Sequence, residues 1–173
     1  MKLESRRRTV LPAFALLALA AALPSFAAEA PCADAVKSHQ FDFWIGEWDV
    51  TAGGGNAGTN KIEPILGGCV LQENWKGAQG SEGKSFNFYN PETGKWHQKW
   101  VWKQGTSLDL EGGFENGKMS LQGHKKGNDG KTTRSRITWT PNADGTVRQL
   151  WESSSDGGKS WQVQFDGLYR RKK

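Results

Sequence analysis

From residue 46 onward no helical period lasts; apolar and polar residues alternate in short runs, each cut by Gly, Asn, Asp or Pro. Alternation with a period of two puts successive side chains on opposite faces of an extended strand, so each run reads as a strand with one buried face. The spacing predicts strands near 47–52, 60–66, 69–76, 84–90, 95–103, 107–114, 117–124, 132–140, 146–153 and 161–170. The segments between them, "NPETGK" at 90–95, "ENGK" at 115–118, "NADGT" at 142–146 and "SDGGKS" at 155–160, carry the residues that hairpin turns require. Only "ADAVKSHQFDF" at 33–43 suggests a short helix, with Asp34 as its N-terminal carboxylate and Gly46 as a stop signal.

Ten strands joined by tight turns form a meander with edges to dispose of. Closure into a barrel removes every edge, whereas a sandwich leaves four, and no repeated helices are available to cover them. The expected fold is therefore all-β: an antiparallel up-and-down barrel of about ten strands, like lipocalins and fatty-acid-binding proteins, with a short N-terminal helix. The 22 glycines suit the bends and turns this needs. "TAGGGNAGTN" at 51–60 reads as a flexible hairpin connection, with a mobile lid over the barrel mouth as the alternative.

The N-terminus has the layout of a cleavable signal peptide. Lys2, Arg6, Arg7 and Arg8 precede the apolar run "VLPAFALLALAAAL", and Ser25-Phe26-Ala27 supplies small residues for cleavage after Ala27. About fourteen apolar residues fall short of the roughly twenty that span a bilayer, so no stable membrane insertion is expected after processing. "EAP" before Cys32 also lacks the small and aliphatic pattern of a lipoprotein signal. The expected arrangement is a signal peptide over 1–27 and one barrel domain over 28–173, monomeric, in the periplasm or secreted. In that oxidising setting an even cysteine count predicts a Cys32–Cys69 disulfide. It would hold Phe41, Phe43 and Trp44 of "FDFWIGEWDV" as a plug over one barrel end.

Charge points away from nucleic acid as a partner. Removing four basic residues and Glu4 with the leader leaves 19 Lys and Arg against 17 Asp and Glu, a net charge of +2, and four of those cations form the terminal "RRKK". His39, His97 and His124 lack partners at metal-ligand spacing, so no metal site is expected. No His follows His124 to serve as a haem ligand, and no cofactor is expected.

Two local motifs carry resemblances. Gly46-Glu47-Trp48 resembles the G-x-W that opens the first strand of lipocalins and their barrel relatives. There the Trp closes the barrel floor and an Arg of the last strand packs over it, which implies Arg170, or its neighbour Arg171, in that role. Residues 154–161, "SSDGGKSW", resemble an Asp-box. This implies a hairpin held by Asp156, with Gly158 in the turn and Trp161 packed beneath, and not sialidase activity, since a propeller would need several such blades. Over about residues 38–172, the order "FDFWIGEWDV", "LGGCVLQENWKG", "GKSFNFYNPETGKWHQKWV" and "RITWTPNADGTVRQLWESSSDGGKSWQVQFDGLYRRK" resembles a bacterial family of exported or small soluble proteins with a domain of unknown function. That resemblance implies a lipocalin-like barrel and carries no catalytic residue.

Strand parity then nominates a binding site. Trp96, Gln98, Trp100 and Trp102 share a face, taken as inward, opposite His97, Lys99, Val101 and Lys103. Phe86 and Phe88 align, as do Ile137 with Trp139, opposite Arg136, and Val147 with Gln149 and Trp151. Nine tryptophans can fill a barrel as core, or line a cavity for a flat or greasy molecule with Gln98, Gln149 and Arg136 as polar contacts. The candidate ligand-binding set is therefore Trp96, Gln98, Trp100, Trp102, Phe86, Phe88, Arg136, Trp139 and Gln149. Glu73 and Glu152 each lie beside tryptophan-bearing positions. Both are expected to face outward and pair with Lys or Arg, although either, if buried, could act as an acid or base. The leading function is binding of a small hydrophobic or aromatic molecule inside the barrel. The alternatives are a carbohydrate-binding or adhesion module using exposed Trp, and an enzyme working inside the barrel through Glu73 or Glu152.

Overall fold

A computed structural model describes residues 32–127 and 129–173. The signal peptide expected over 1–27 and its cleavage point lie outside the described residues. The chain opens with one turn of helix, α1 (Ala35–Ser38), whose start is capped by Asp34 accepting from the Lys37 backbone N–H at 3.0 Å. A 3-10 turn over Asp42–Trp44 follows. Then come ten strands: β1 (Gly46–Ala52), β2 (Gly55–Ile65), β3 (Val70–Gly77), β4 (Glu82–Asn90), β5 (Lys95–Trp102), β6 (Ser107–Glu115), β7 (Lys118–Lys126), β8 (Thr132–Pro141), β9 (Val147–Ser154) and β10 (Gln162–Arg171). Each strand pairs antiparallel with its sequence neighbours, and β1 pairs with β10 (Val50 opposite Tyr169) to close the barrel. The sheet is the ten-strand up-and-down barrel that the alternation predicts, with every strand edge satisfied.

The stretch at 51–60 is a hairpin connection and not a lid, but it is tighter than the expected strand bounds imply, because Ala52 already pairs with Gly55 and β2 runs on from there. Gly53 and Gly54 alone make the turn, with φ of 57° and 81°, the left-handed values that a two-residue hairpin needs.

Up-and-down winding sorts the connections onto two ends. Residues 53–54, 78–81, 103–106 and 155–161 turn at one end; 66–69, 91–94, 116–117 and 142–146 turn at the other, which also receives the N-terminal segment. That second end is closed. Phe41 and Trp44 are fully buried there, stacked on each other at 5.0 Å between ring centroids, and Phe41 meets Trp139 and Trp96 edge-on at 5.1 and 5.6 Å. Trp48 of β1, also fully buried, donates its indole N–H to the Trp44 carbonyl at 2.9 Å. A disulfide between Cys32 and Cys69, with Cα atoms 5.4 Å apart, ties this segment to the start of β3.

The cation over the floor tryptophan is Arg171, not Arg170. The Arg171 guanidinium lies 4.5 Å from the Trp48 ring and donates to the Ile45 carbonyl at 3.1 Å, while Arg170 turns outward to the Thr51 hydroxyl. Parity decides between them: Tyr169 faces inward, so Arg171 shares its side of β10. Gly46, at φ 140°, makes room for it, since a Cβ there would collide with the guanidinium.

Candidate binding site

Above the aromatic floor the barrel interior becomes polar on one side. Asn60 of β2, Glu73 of β3, Ser85 and Asn87 of β4 and Gln98 of β5 are all buried, and their side chains form one chain of hydrogen bonds. Gln98 Nε2 donates to Asn87 Oδ1 at 2.9 Å, Asn87 Nδ2 to Ser85 Oγ at 2.9 Å, and Ser85 Oγ to Glu73 Oε2 at 2.6 Å. From the other side Asn60 Nδ2 donates to Glu73 Oε1 at 2.7 Å. Tyr169 of β10 accepts a longer bond from Asn60 at 3.4 Å and donates to Gln149 of β9. Both arms of the network that reach Glu73 direct their protons at its carboxylate.

Toward the unplugged end the lining turns aromatic again. Trp75, Trp100, Trp102, Trp151 and Phe165 are half-buried around a cavity of about 420 Å³ whose polar wall includes Glu73, Gln98, Gln149 and Tyr169. Trp102 packs edge-on to Trp100 at 5.6 Å and tilts toward Trp151 at 6.4 Å, while Trp75 meets Phe165 edge-on at 6.0 Å. A Cβ at position 83 would collide with the Trp100 ring, so the glycine in β4 is what lets that indole lie against the wall. Three polar atoms among the cavity-lining residues, Trp100 Nε1, Trp151 Nε1 and Gln98 Oε1, are buried without a partner among the described residues. Buried polar groups are almost always paired, and the same shortfall recurs in the floor at the Trp44 and Trp139 indole N–H groups.

The sequence-based set divides. Gln98, Trp100, Trp102 and Gln149 do line the cavity. Trp96 and Trp139 face inward but one layer too deep, as fully packed parts of the floor around Phe41. Phe86 and Phe88 point the wrong way: Phe86 is 49% exposed, and Phe88 stacks on His97 on the outer face. In β4 the inward positions belong to Gly83, Ser85 and Asn87, because this strand faces the polar layer. Arg136 is outside as well, bonded to Glu152 through Nε at 3.0 Å and Nη2 at 2.8 Å and stacked 4.3 Å over the Trp161 ring.

Glu152 is thus the outward, ion-paired carboxylate expected of it, which removes it as an acid or base inside the barrel. Glu73 reverses its expectation. It is buried, and burial pushes its carboxyl up to about 7, against the opposing pull of the Ser85 and Asn60 hydrogen bonds. Burial, reinforced by the nearby Glu73 charge, likewise holds the Tyr169 hydroxyl well above its ordinary range. Parity carried the signal for Glu73, which sits two residues from Leu71 and from Trp75 and shares their face. Trp75, Trp151 and Phe165 join the aromatic wall by the same rule, although the candidate set omits them.

The Asp-box segment forms its hairpin outside the cavity. Asp156 Oδ1 accepts from the backbone N–H groups of Lys159 and Ser160 at 2.9 and 3.0 Å and from the Ser154 hydroxyl at 2.7 Å. These and the Ser160 hydroxyl hold its carboxyl well below the usual carboxylate range. Gly158 takes φ 94°, and its carbonyl accepts the Trp161 indole N–H at 3.2 Å. No described helix is long and apolar enough to cross a membrane, and the described residues hold no cluster of three or more His, Cys, Asp and Glu that could bind a metal. No family model and no curated protein matches the chain.

Proposed function

We propose that the protein is an exported carrier or sensor barrel that binds one small hydrophobic or aromatic molecule in the cavity ringed by Trp75, Trp100, Trp102 and Trp151. The observation that carries this reading is a contrast in burial. The four floor tryptophans are buried to 1% exposure or less, whereas five aromatic side chains stay half-buried around a cavity of about 420 Å³ that also presents Glu73, Gln98 and Gln149. Concave sites lined by aromatics with a few convergent polar groups are where small ligands bind. Export through the leader at 1–27 and residence in the periplasm or outside the cell are supported by the Cys32–Cys69 disulfide. An adhesion surface finds no support, since none of the nine tryptophans is exposed.

The decisive experiment is native mass spectrometry on the processed protein purified from its own extracytoplasmic fraction. The expected result is a chain beginning at Ala28 with a retained small molecule. An empty protein whose tryptophan fluorescence also stays unchanged across a library of aromatic and lipid compounds would remove the binding reading. A second reading, acid–base catalysis inside the barrel, is favoured by one feature, the buried Glu73 carboxyl poised near neutrality in a cavity. Under that reading bound library compounds are converted, and Glu73→Gln stops conversion without stopping binding.

A further inference from the structure

We infer that the cavity is built for an organic cation: a flat, apolar body bearing one positive charge that docks against Glu73. The inference rests on the binding reading above and deepens it. Its ground is a mismatch between hydrogen bonding and charge. The Ser85 hydroxyl and the Asn60 amide donate to the two oxygens of Glu73, and Gln98 and Asn87 brace Ser85 from behind. A carboxylate that only receives protons is furnished as an anion.

The countercharge is missing. Among the described residues lining the cavity there is no Lys, Arg or His. Around Glu73, β2 contributes Asn60, β4 contributes Ser85 and Asn87, β5 contributes Gln98, β9 contributes Gln149, and β10 contributes Tyr169, the one other titratable group. Tyr169 is held neutral by burial and cannot compensate the charge. A buried anion without a cation is costly, so the empty protein relieves it by taking up a proton near neutral pH. An orphaned Asn60 Oδ1 beside Glu73 is the natural acceptor for that proton once the amide turns over.

A cationic ligand removes the mismatch without protonation. Each oxygen of Glu73 has a spare lone pair, and the faces of Trp75, Trp100, Trp102 and Trp151 attract positive charge through their quadrupoles. A neutral greasy molecule would use the aromatic wall but leave the carboxylate network without purpose. An anion would be repelled.

The test uses three probes with the same fused-ring body: 1-methylquinolinium, 1-methylnaphthalene and 1-naphthoate, titrated calorimetrically into the processed full-length protein. At pH 8 the cation is expected to bind on the order of tenfold to a hundredfold tighter than the neutral ring, and the anion weakest. That advantage shrinks below pH 6 as Glu73 protonates. Because the probe's charge is permanent, its binding at pH 7 should release about half a proton, visible as a dependence of the heat on buffer ionisation. Glu73→Gln should erase the preference for the cation over the neutral ring. Equal binding of cation and neutral ring, or cation binding without proton release, overturns the inference and leaves the binding reading standing. If none of the three probes binds, the inference falls, and the binding reading stands or falls with the native-mass and library result.

Discussion

The two ends of the barrel use the same residue type for opposite purposes. At the closed end Trp44, Trp48, Trp96 and Trp139 are buried to 1% exposure or less; Trp44, Trp96 and Trp139 pack ring against ring with Phe41, and Trp48 meets Tyr169 edge-on. At the other end Trp75, Trp100, Trp102 and Trp151 are half-buried around the cavity. Between them lies the Glu73 layer, polar where a purely structural barrel would be apolar. Tryptophan count alone therefore says little about function; what separates core from site is whether the space beside each ring is filled.

The largest effects should come from the closed end. Trp44→Ala removes a fully buried indole from the plug and should lower unfolding free energy by about 4–5 kcal/mol in denaturant titration. Breaking the bridge with Cys32→Ser should cost about 4 kcal/mol, from the chain entropy of a loop whose ends are 37 residues apart. Both changes are remote from the cavity walls. If Cys32→Ser, at a temperature where the variant stays folded, weakens probe binding as much as it weakens the fold, the two ends are coupled and the division drawn between them is wrong.

The middle layer predicts a pH effect of its own. The Glu73 carboxyl titrates near 7 in the folded barrel against 4.5 when free, so the folded state holds the proton more tightly than the unfolded chain. Its contribution to stability is therefore fully present below about pH 4.5 and is lost as pH rises through 7. The size is about 3 kcal/mol from the pKa difference. Glu73→Gln should flatten this component, which urea titrations from pH 4 to 9 on both proteins would resolve. A wild-type profile with no fall between pH 5 and 8 would mean that a cation or water reaches the carboxylate.

The architecture was legible because strand alternation and turn chemistry are local. Ten runs, their hairpins and the need to remove edges lead to a closed barrel without knowledge of any contact. The plug was legible for a similar reason, with Trp48 on the inward parity of β1 and a disulfide to hold the segment before it. The site was legible only in part, because alternation shows which residues share a face but not which face is inside. Apolarity settled that choice correctly for β5 and wrongly for β4, where Ser85 and Asn87 turn inward to serve Glu73 and the phenylalanines are left outside. Glu73 and Glu152 looked equivalent in composition. Parity separates them, since Glu152 adjoins Trp151 and must oppose it, whereas Glu73 is two residues from Trp75 and must accompany it. Arg170 and Arg171 divide by the same rule. What no strand pattern conveys is depth along the barrel, which is why Trp96 and Trp139, inward as expected, belong to the floor and not to the cavity.

The smallest stability effect is expected at the open end, and it sharpens the contrast most. Trp102 has the same side chain as Trp44 but borders about 420 Å³ of unfilled space, so truncating it removes fewer packed neighbours and leaves a void that water can enter. Trp102→Ala should therefore cost only about 1 kcal/mol, well below a sealed core tryptophan. Binding should respond the other way. Losing one aromatic wall should weaken 1-methylquinolinium and 1-methylnaphthalene alike, by roughly tenfold, since both use the ring face and only one uses Glu73. Denaturation and probe titration on this one variant test both halves. A loss of several kcal/mol would make Trp102 part of a continuous core, and unchanged probe affinity would move the ligand elsewhere in the barrel.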